Sequence, residues 1–353
     1  MNPLPQPIEV DSLVILKQLI PAHRALAELK GVVASIPNQL ILLDTLALTE
    51  ARDSAAIENI ISTFDEIYQS DLVANDFASP AAKEVYQYAT ALKKGFELVS
   101  ANQLLTNNHI LQIQAIIEQN NAGFRKAPGT RLLNDLTGDI VYTPPQEHDA
   151  IIQLMSNLER FINDEAMMNA DPLVKMAIVH HQFESIHPFY DGNGRTGRII
   201  NILYLVQKGL LELPILNLSR YIIRHKALYY QLLQQVRDQR SWEDWILFML
   251  KGIEETAIDS LKTVTAIKAL MQSTKDEIRN SLPKIYSQNL VNNLFRYPYT
   301  KIEFLQADLQ ISRSTAIRYL ESLVSCQIVF KKRIGRDNFY VNQRLFKLLS
   351  RGE

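Results

Sequence analysis

Between His187 and Arg198 the chain sets one imidazole, one carboxylate, three glycines and two guanidiniums in His187-Pro188-Phe189-Tyr190-Asp191-Gly192-Asn193-Gly194-Arg195-Thr196-Gly197-Arg198. As chemistry, this is a phosphate site with a base and a metal ligand beside it. Gly192, Asn193 and Gly194 let several backbone N–H groups converge on one point, because glycine accepts positive φ without a Cβ clash. From Thr196 the chain turns apolar and helical through Ile199, Ile200, Ile202, Leu203 and Leu205. The glycine turn therefore sits at a helix N-terminus, where orphan N–H groups and the dipole favour an anion. Arg195 and Arg198 project from one side of the first turn. Two forks on one face suit two phosphates in a row. Asp191 is placed to hold Mg²⁺ bridging phosphate oxygens. His187, in the loop ahead of the turn, is the natural general base.

Taken singly, each feature has an ordinary meaning. A Gly-Asn-Gly turn is a loop, a lone histidine is structural, and two arginines three apart are a solvated helix face. Their order in one stretch carries the reading. That stretch resembles the signature of the Fic family, His-x-Phe-x-(Asp/Glu)-Gly-Asn-Gly-Arg-x-x-Arg, at every fixed position. The resemblance implies transfer of a nucleotidyl group, most often AMP from ATP, onto a hydroxyl side chain of a protein. It also implies a mostly α fold, the Fic helical fold with a small β-hairpin flap.

The elements that must position these residues follow from composition and pattern. The 353 residues are enough for two or three domains with a sizeable core. Glycine is scarce, at 12 residues, and Leu, Ile, Ala and Gln are plentiful, which favours helices. A net charge of −1 gives no global pull toward nucleic acid or an anionic membrane. The single cysteine, Cys326, has no internal disulfide partner, so a reducing, cytoplasmic setting is expected. No secretory signal and no membrane span are expected. Four regions are read: an N-terminal helical region 1–110, a catalytic core 111–260, a helical linker 261–284 and a C-terminal module 285–353.

Residues 1–12 read as a proline-rich arm, 13–35 as short helices broken at Pro21, and 80–118 as helices that pack without chemistry. Asp171-Pro172 starts a helix that delivers His187. His180 and His181 lie on it, but no His-Glu-x-x-His pattern marks a zinc site. Arg220 to Arg237 reads as one helix, and 252–282 as one long helix or two.

Upstream, Ala51 to Ile60 reads as helical, and Ser54 and Glu58 share a face at i and i+4. Alone this is a surface face. Its spacing resembles the inhibitory helix motif of Fic proteins, (Ser/Thr)-x-x-x-Glu-(Gly/Asn), within a helix of about 50–68. The resemblance implies that Glu58 pairs with Arg198 and prevents it from aligning the γ-phosphate. Residues 121–146 break helices, and Arg131-Leu132-Leu133-Asn134 and Ile140-Val141-Tyr142-Thr143 flank Asp135-Leu136-Thr137-Gly138-Asp139 as a small hairpin. The resemblance makes this hairpin a flap on which a target segment adds as a strand. It further implies an aromatic near the nucleotide base, for which Tyr229 and Tyr230 are the candidates beside core packing. Arg237 stands where relatives carry an Asn toward adenine.

Residues 302–309 and 313–325 read as helix, turn, helix, and Val329 to Val341 as a β-hairpin around Gly335. This resembles a winged helix-turn-helix. From Tyr286 to Asn342 eight Lys/Arg face four Asp/Glu, a net of +4. That charge permits DNA binding through residues 285–345; a protein contact stays equally open.

The expectation is a protein adenylyltransferase that takes MgATP over Gly192–Gly194, with Asp191 on the metal, Arg195 and Arg198 on the phosphates and His187 as base. A homodimer is expected. Two alternatives stay open. One is a different transferred group, or removal of AMP with Glu58 activating water. The other is a DNA-binding transcriptional regulator that senses nucleotide.

Overall fold

The structure, a computed structural model, describes residues 1–36, 38–70, 77–133, 137–334 and 337–350. The flap tip at Asn134, Asp135 and Leu136, and Gly335 in the C-terminal hairpin, lie outside the described residues. The described chain is mostly helical, with two small antiparallel sheets.

Helix α1 (Leu13–Ala34) runs straight through Pro21. This corrects the expected break. Pro21 removes one N–H donor, but Ala22, Leu26, Leu29 and Val33 form a buried stripe against α11 (Trp242–Ser281), and that packing keeps the helix whole. The 40 residues of α11 make one unbroken helix, about 60 Å long. It carries core residues Trp245, Phe248 and Met249 at one end and runs on through the linker. Helix α2 (Leu40–Ile57) is buried almost all round. It ends at Ile57, so the expected helix of 50–68 is instead the end of α2, a turn, and the separate α3 (Phe64–Ser70).

Helices α4 (Pro80–Asn102), α5 (Asn107–Glu118) and α6 (His148–Asn163) surround the central pair α7 (Pro172–Ile186) and α8 (Asn193–Gln207). Asp171 caps α7 by accepting from the Leu173 amide, with Pro172 in the first turn. Gly197 lets α8 approach α7, since a Cβ there would stand 2.5 Å from Glu184 Oε1. Between α5 and α6, β1 (Leu132–Leu133) pairs with β2 (Ile140–Tyr142). The single helix expected over 220–237 is two, α9 (Leu218–Arg224) and α10 (Lys226–Gln239). They break at His225, whose ring packs on Tyr221 and Phe248.

The C-terminal residues form α12 (Gln288–Arg296), β3 (Tyr299–Thr300), α13 (Ile302–Leu309), α14 (Arg313–Ser325), β4 (Phe330–Ile334), β5 (Asp337–Val341) and α15 (Gln343–Leu349). The strand order is β3-β5-β4, so the hairpin gains a third strand from ahead of α13. This unit docks on α2 and α3. Asp44 of α2 holds Arg296 at 2.7 Å and Lys93 at 2.7 Å. Tyr299 and Phe346 pack on Tyr68, and Asp65 accepts from Tyr299 and Lys332. Asp44 and Asp65 thus bring acidic partners from outside the unit to Arg296 and Lys332, while Arg313 and Lys331 pair within it, with Glu303 and Glu321. Among the described residues no helix is long and apolar enough to cross a membrane.

Trp245 is fully buried and donates Nε1–H to the Ala177 carbonyl at 2.8 Å, tying α11 to α7. Trp245→Ala is expected to cost about 3–5 kcal/mol. Denaturant unfolding checks it; a loss under about 1 kcal/mol would contradict this packing role.

Candidate active site

The His187–Arg198 stretch is the loop between α7 and α8. His187 itself ends α7 in the left-handed region, φ 49° and ψ 59°. Such a conformation in a non-glycine residue needs support from its surroundings. Arg125 supplies it. Its fully buried guanidinium donates Nε–H to the His187 carbonyl at 2.9 Å and another N–H to the Pro145 carbonyl, while its own amide donates to the Pro188 carbonyl at 2.8 Å. Phe189 is buried against Phe124 and Phe183. Burial first, then Arg125 and Arg237, pushes the His187 imidazole down to about 4, against a smaller opposite pull from the Glu184 backbone and Asp191. At neutral pH it is uncharged, the form a base requires.

Gly192 caps α8 at φ 73°. Its N–H donates to the Asp191 carboxylate at 2.7 Å. Asn193 uses its side chain inward, accepting from the Phe189 amide at 2.8 Å and donating to the Phe189 carbonyl at 2.9 Å. It can serve an anion only through its backbone. The amides of Asn193, Gly194 and Arg195 belong to the first turn of α8, where intrahelical acceptors are lacking.

Arg195 and Arg198 are both buried, and both meet Glu58. Glu58 Oε1 lies 2.7 Å from Arg198 Nη2, and Oε2 lies 2.9 Å from Arg195 Nε. Pairing with Arg198 alone is thus half of the arrangement. The carboxylate nests on Gly194, where a Cβ would stand 2.7 Å from Oε1. Ser54 completes the hold, its Oγ accepting from Arg198 Nε at 2.7 Å and its carbonyl from Nη2 at 3.1 Å. Burial lowers the Arg198 pKa, but Glu58 and then the Tyr88 and Tyr229 hydroxyls more than offset it, so the guanidinium stays firmly charged.

The end of α2 explains how Glu58 is presented. Asn59 sits at φ 64°, its amide donates to Ala56, and the Ile60 amide donates back to Ala55 at 3.1 Å. This is a Schellman turn, whose left-handed position favours Gly or Asn. Further back, Glu50 accepts from the Ser219 amide at 3.0 Å and from the Tyr88 hydroxyl at 3.0 Å. Asp53 accepts from Asn217 at 2.7 Å and Arg220 at 3.0 Å. Burial pushes Glu50 up to about 7.

Two acidic residues that sequence reading passed over as packing face Arg195. Glu84 Oε2 lies 2.7 Å from Nη1, and Glu118 Oε1 lies 2.8 Å from Nη2. Burial raises the Glu118 pKa; Arg195 opposes this, and neighbouring Asp191, Glu84 and Glu58 reinforce it. No sequence spacing links residues 58, 84, 118 and 195; only the packing of α2, α4, α5 and α8 does.

Tyr229 is not a base platform. It is buried against Trp245 and Phe248, with its hydroxyl 2.9 Å from His180 Nε2. Tyr230 is 48% exposed. Arg237 stacks 4.0 Å over the Tyr142 ring and donates to Ser185 Oγ at 3.0 Å, while the Tyr142 hydroxyl donates to the Ser185 carbonyl at 3.0 Å. These contacts hold β2 over the end of α7. Leu133, Ile140 and Val141 on the flap are exposed. Asp191 has a side chain 77% exposed. One open carboxylate beside the N-terminus of α8 fits Mg²⁺, an ion that keeps waters and needs only one or two carboxylates from protein. Among the described residues no group of three His, Cys, Asp or Glu is placed to cage a metal.

Three family models match the chain. Fic/DOC family N-terminal covers residues 16–97, Fic/DOC family covers 104–205, and the C-terminal domain of SoFic-like protein adenylyltransferase covers 270–345. A probable protein adenylyltransferase of Aquifex aeolicus (strain VF5) is 30% identical over 184 residues, 51% of this chain and 54% of the relative. Protein adenylyltransferase fic-1 of Caenorhabditis elegans is 30% identical over 79 residues, 22% of this chain and 16% of the relative. The chain thus aligns with about half, or less, of the length of these curated relatives. A solved Fic family protein from Desulfovibrio desulfuricans G20 superposes with a TM-score of 0.61 at 19% identity, over 96% of this chain and 98% of that one. Fic-1 of Caenorhabditis elegans superposes with a TM-score of 0.52 at 20% identity, over 73% of each chain. The two superpositions show the fold.

The His187 ring should stay neutral from pH 8 to pH 5 and titrate near 4, the value its burial sets. Because this is below the unfolded value, the unfolded chain binds the extra proton first, and the His187 contribution to stability is lost as pH falls from about 6.5 toward 4. Nitrogen-15 NMR of the ring checks this; a midpoint near 6.5 would contradict it. At the Schellman turn, Asn59→Val should cost about 1–2 kcal/mol and Asn59→Gly little. Hydrogen exchange of the Glu58–Ile60 amides should quicken in the valine variant only.

Proposed function

We propose, from the premise that the chain belongs to the Fic/DOC family, that it is a protein adenylyltransferase held at rest by Glu58. The observation that carries the reading is the seat of the Glu58 carboxylate, between Arg195 Nε and Arg198 Nη2 and against Gly194. A carboxylate held by a charge-assisted hydrogen bond from one arginine and an ion pair with another, beside a helix N-terminus, stands in for a phosphate group. The names borne by the relatives support AMP as the group transferred.

In the working state Glu58 moves away and a terminal phosphate of ATP takes its seat. The α8 amides and Arg195 hold the inner phosphates. Asp191 would hold Mg²⁺, which when bound neutralises phosphate charge. His187, neutral at its lowered pKa, accepts the proton of a Ser, Thr or Tyr hydroxyl on the target. The hydroxyl oxygen attacks the α-phosphorus, the new P–O bond forms, the bond to the bridging oxygen breaks, and pyrophosphate leaves. Positioning and charge stabilisation supply most of the acceleration. The flap strands β1 and β2 offer backbone edges on which an extended target segment docks, with its hydroxyl toward His187.

The decisive experiment is the intact mass of the Glu58→Gly protein after incubation with MgATP. One added AMP is expected, at a rate about 100-fold above the wild type. His187→Ala in the same background should abolish the adduct and leave nucleotide affinity within about threefold. An unchanged rate on removing Glu58 would defeat the inhibitory reading, and an adduct that survives His187→Ala would defeat the base.

A further inference from the structure

Resting on the reading of Arg195 as a phosphate ligand, we propose that Glu84 and Glu118 are positioning residues that aim its guanidinium. Arg195 lies among three carboxylates: Nη1 donates to Glu84 at 2.7 Å and Nη2 to Glu118 at 2.8 Å, while Nε stands 2.9 Å from Glu58 as an ion pair without hydrogen-bond alignment. Asp191 lies further off, 3.7 Å from Nη2.

The three acids do not stand on equal ground. Glu58 is the C-cap of α2, at the end of its helix and followed by a turn. Glu84 lies in the body of α4 and Glu118 is the last residue of α5. Both helices pack tightly on α8, which carries Arg195. Gly95 of α4 comes so close that a Cβ there would stand 2.5 Å from Leu203 of α8 and 2.9 Å from Ile113 of α5. Glu118 is also pressed on the glycine turn, with Oε1 2.6 Å from where a Cβ on Gly192 would be. When Glu58 leaves, both Nη nitrogens remain hydrogen-bonded to Glu84 and Glu118, and the Nε side, ion-paired with Glu58 but not hydrogen-bonded to it, is uncovered. That side lies next to the carboxylate seat that Arg198 Nη2 also borders.

A long, flexible guanidinium is thereby held in one plane with one edge presented to the anion. The planar fork makes such aiming effective, since its donors are fixed relative to one another. The two acids also carry negative charge, which opposes an incoming anion. Their charge and their tethering therefore act in opposite directions, and a Gln substitution separates them. Gln keeps an oxygen that accepts from the guanidinium and drops the charge; Ala drops both.

The test uses the full chain carrying Glu58→Gly, with magnesium tripolyphosphate as the probe in calorimetric titration. Adding Glu118→Ala should weaken binding about tenfold relative to adding Glu118→Gln, the loss expected for a charge-assisted contact. Glu84→Ala against Glu84→Gln should show the same split. In the transfer assay with ATP, the alanine variants should lose kcat relative to the glutamine variants. Equal affinity of the Ala and Gln variants, with only thermal stability altered, would overturn the proposal. So would tighter binding by the Ala variants than by the Gln variants, or no binding of the probe by the Glu58→Gly chain. Failure of AMP transfer is read separately, as the absence of an AMP adduct while the tripolyphosphate split persists.

Discussion

Glu58 sets one oxygen on Arg195 and the other on Arg198, and both guanidiniums are buried. Buried cations need anions close by, because desolvation without a partner is severe. Arg198 is the more exposed to this constraint. Besides Glu58, its hydrogen-bond partners are the neutral Ser54 hydroxyl and carbonyl. Removing Glu58 leaves a buried cation short of an anion, beside a helix N-terminus that also favours one. A phosphate group satisfies both. On the proposed reading, the electrostatics that closes the site also defines what opens it; Gly192 and Gly194 are where the backbone lets a carboxylate come close.

The surroundings of α2 serve that one contact. Glu50, Asp53 and Ser54 tie successive turns of the helix to Ser219, Arg220 and Arg198. The Schellman turn at Asn59 then fixes where Glu58 points. The C-terminal unit adds Arg296 on Asp44 and the Tyr299–Phe346 pair on Tyr68, so α2 and α3 are bounded by the core on one side and by this unit on the other. Across the site, Arg125 holds the backbone of His187 in its left-handed turn, and Arg237 and Tyr142 hold the flap to the end of α7.

Much of this was legible in the residues. The glycine turn, the two arginines, His187 and Asp191 fall within one local stretch, where spacing and chemistry can be read together. The helices were legible from apolar periodicity and from caps such as Asp171-Pro172. What could not be read is what packing alone decides. Pro21 looked like a break because propensity is local, and the stripe that overrides it lies on α11. Tyr229 looked available for a base until the core closed on it. Glu84 and Glu118 lie on helices read as packing without chemistry, since nothing in their spacing refers to Arg195. Arg125 likewise stood in a glycine- and proline-rich connection with no pattern around it.

The central claim is that Glu58 occupies the seat of the terminal phosphate. The most direct test compares the affinities of MgATP and MgADP for the chain carrying His187→Ala, with and without Glu58→Gly, by calorimetry. With Glu58 present the third phosphate has no seat, and ATP should bind no tighter than ADP. With Glu58 removed, ATP should gain about tenfold over ADP through Arg198, the scale of one charge-assisted contact. An ATP-to-ADP ratio that is the same in both chains would contradict the account.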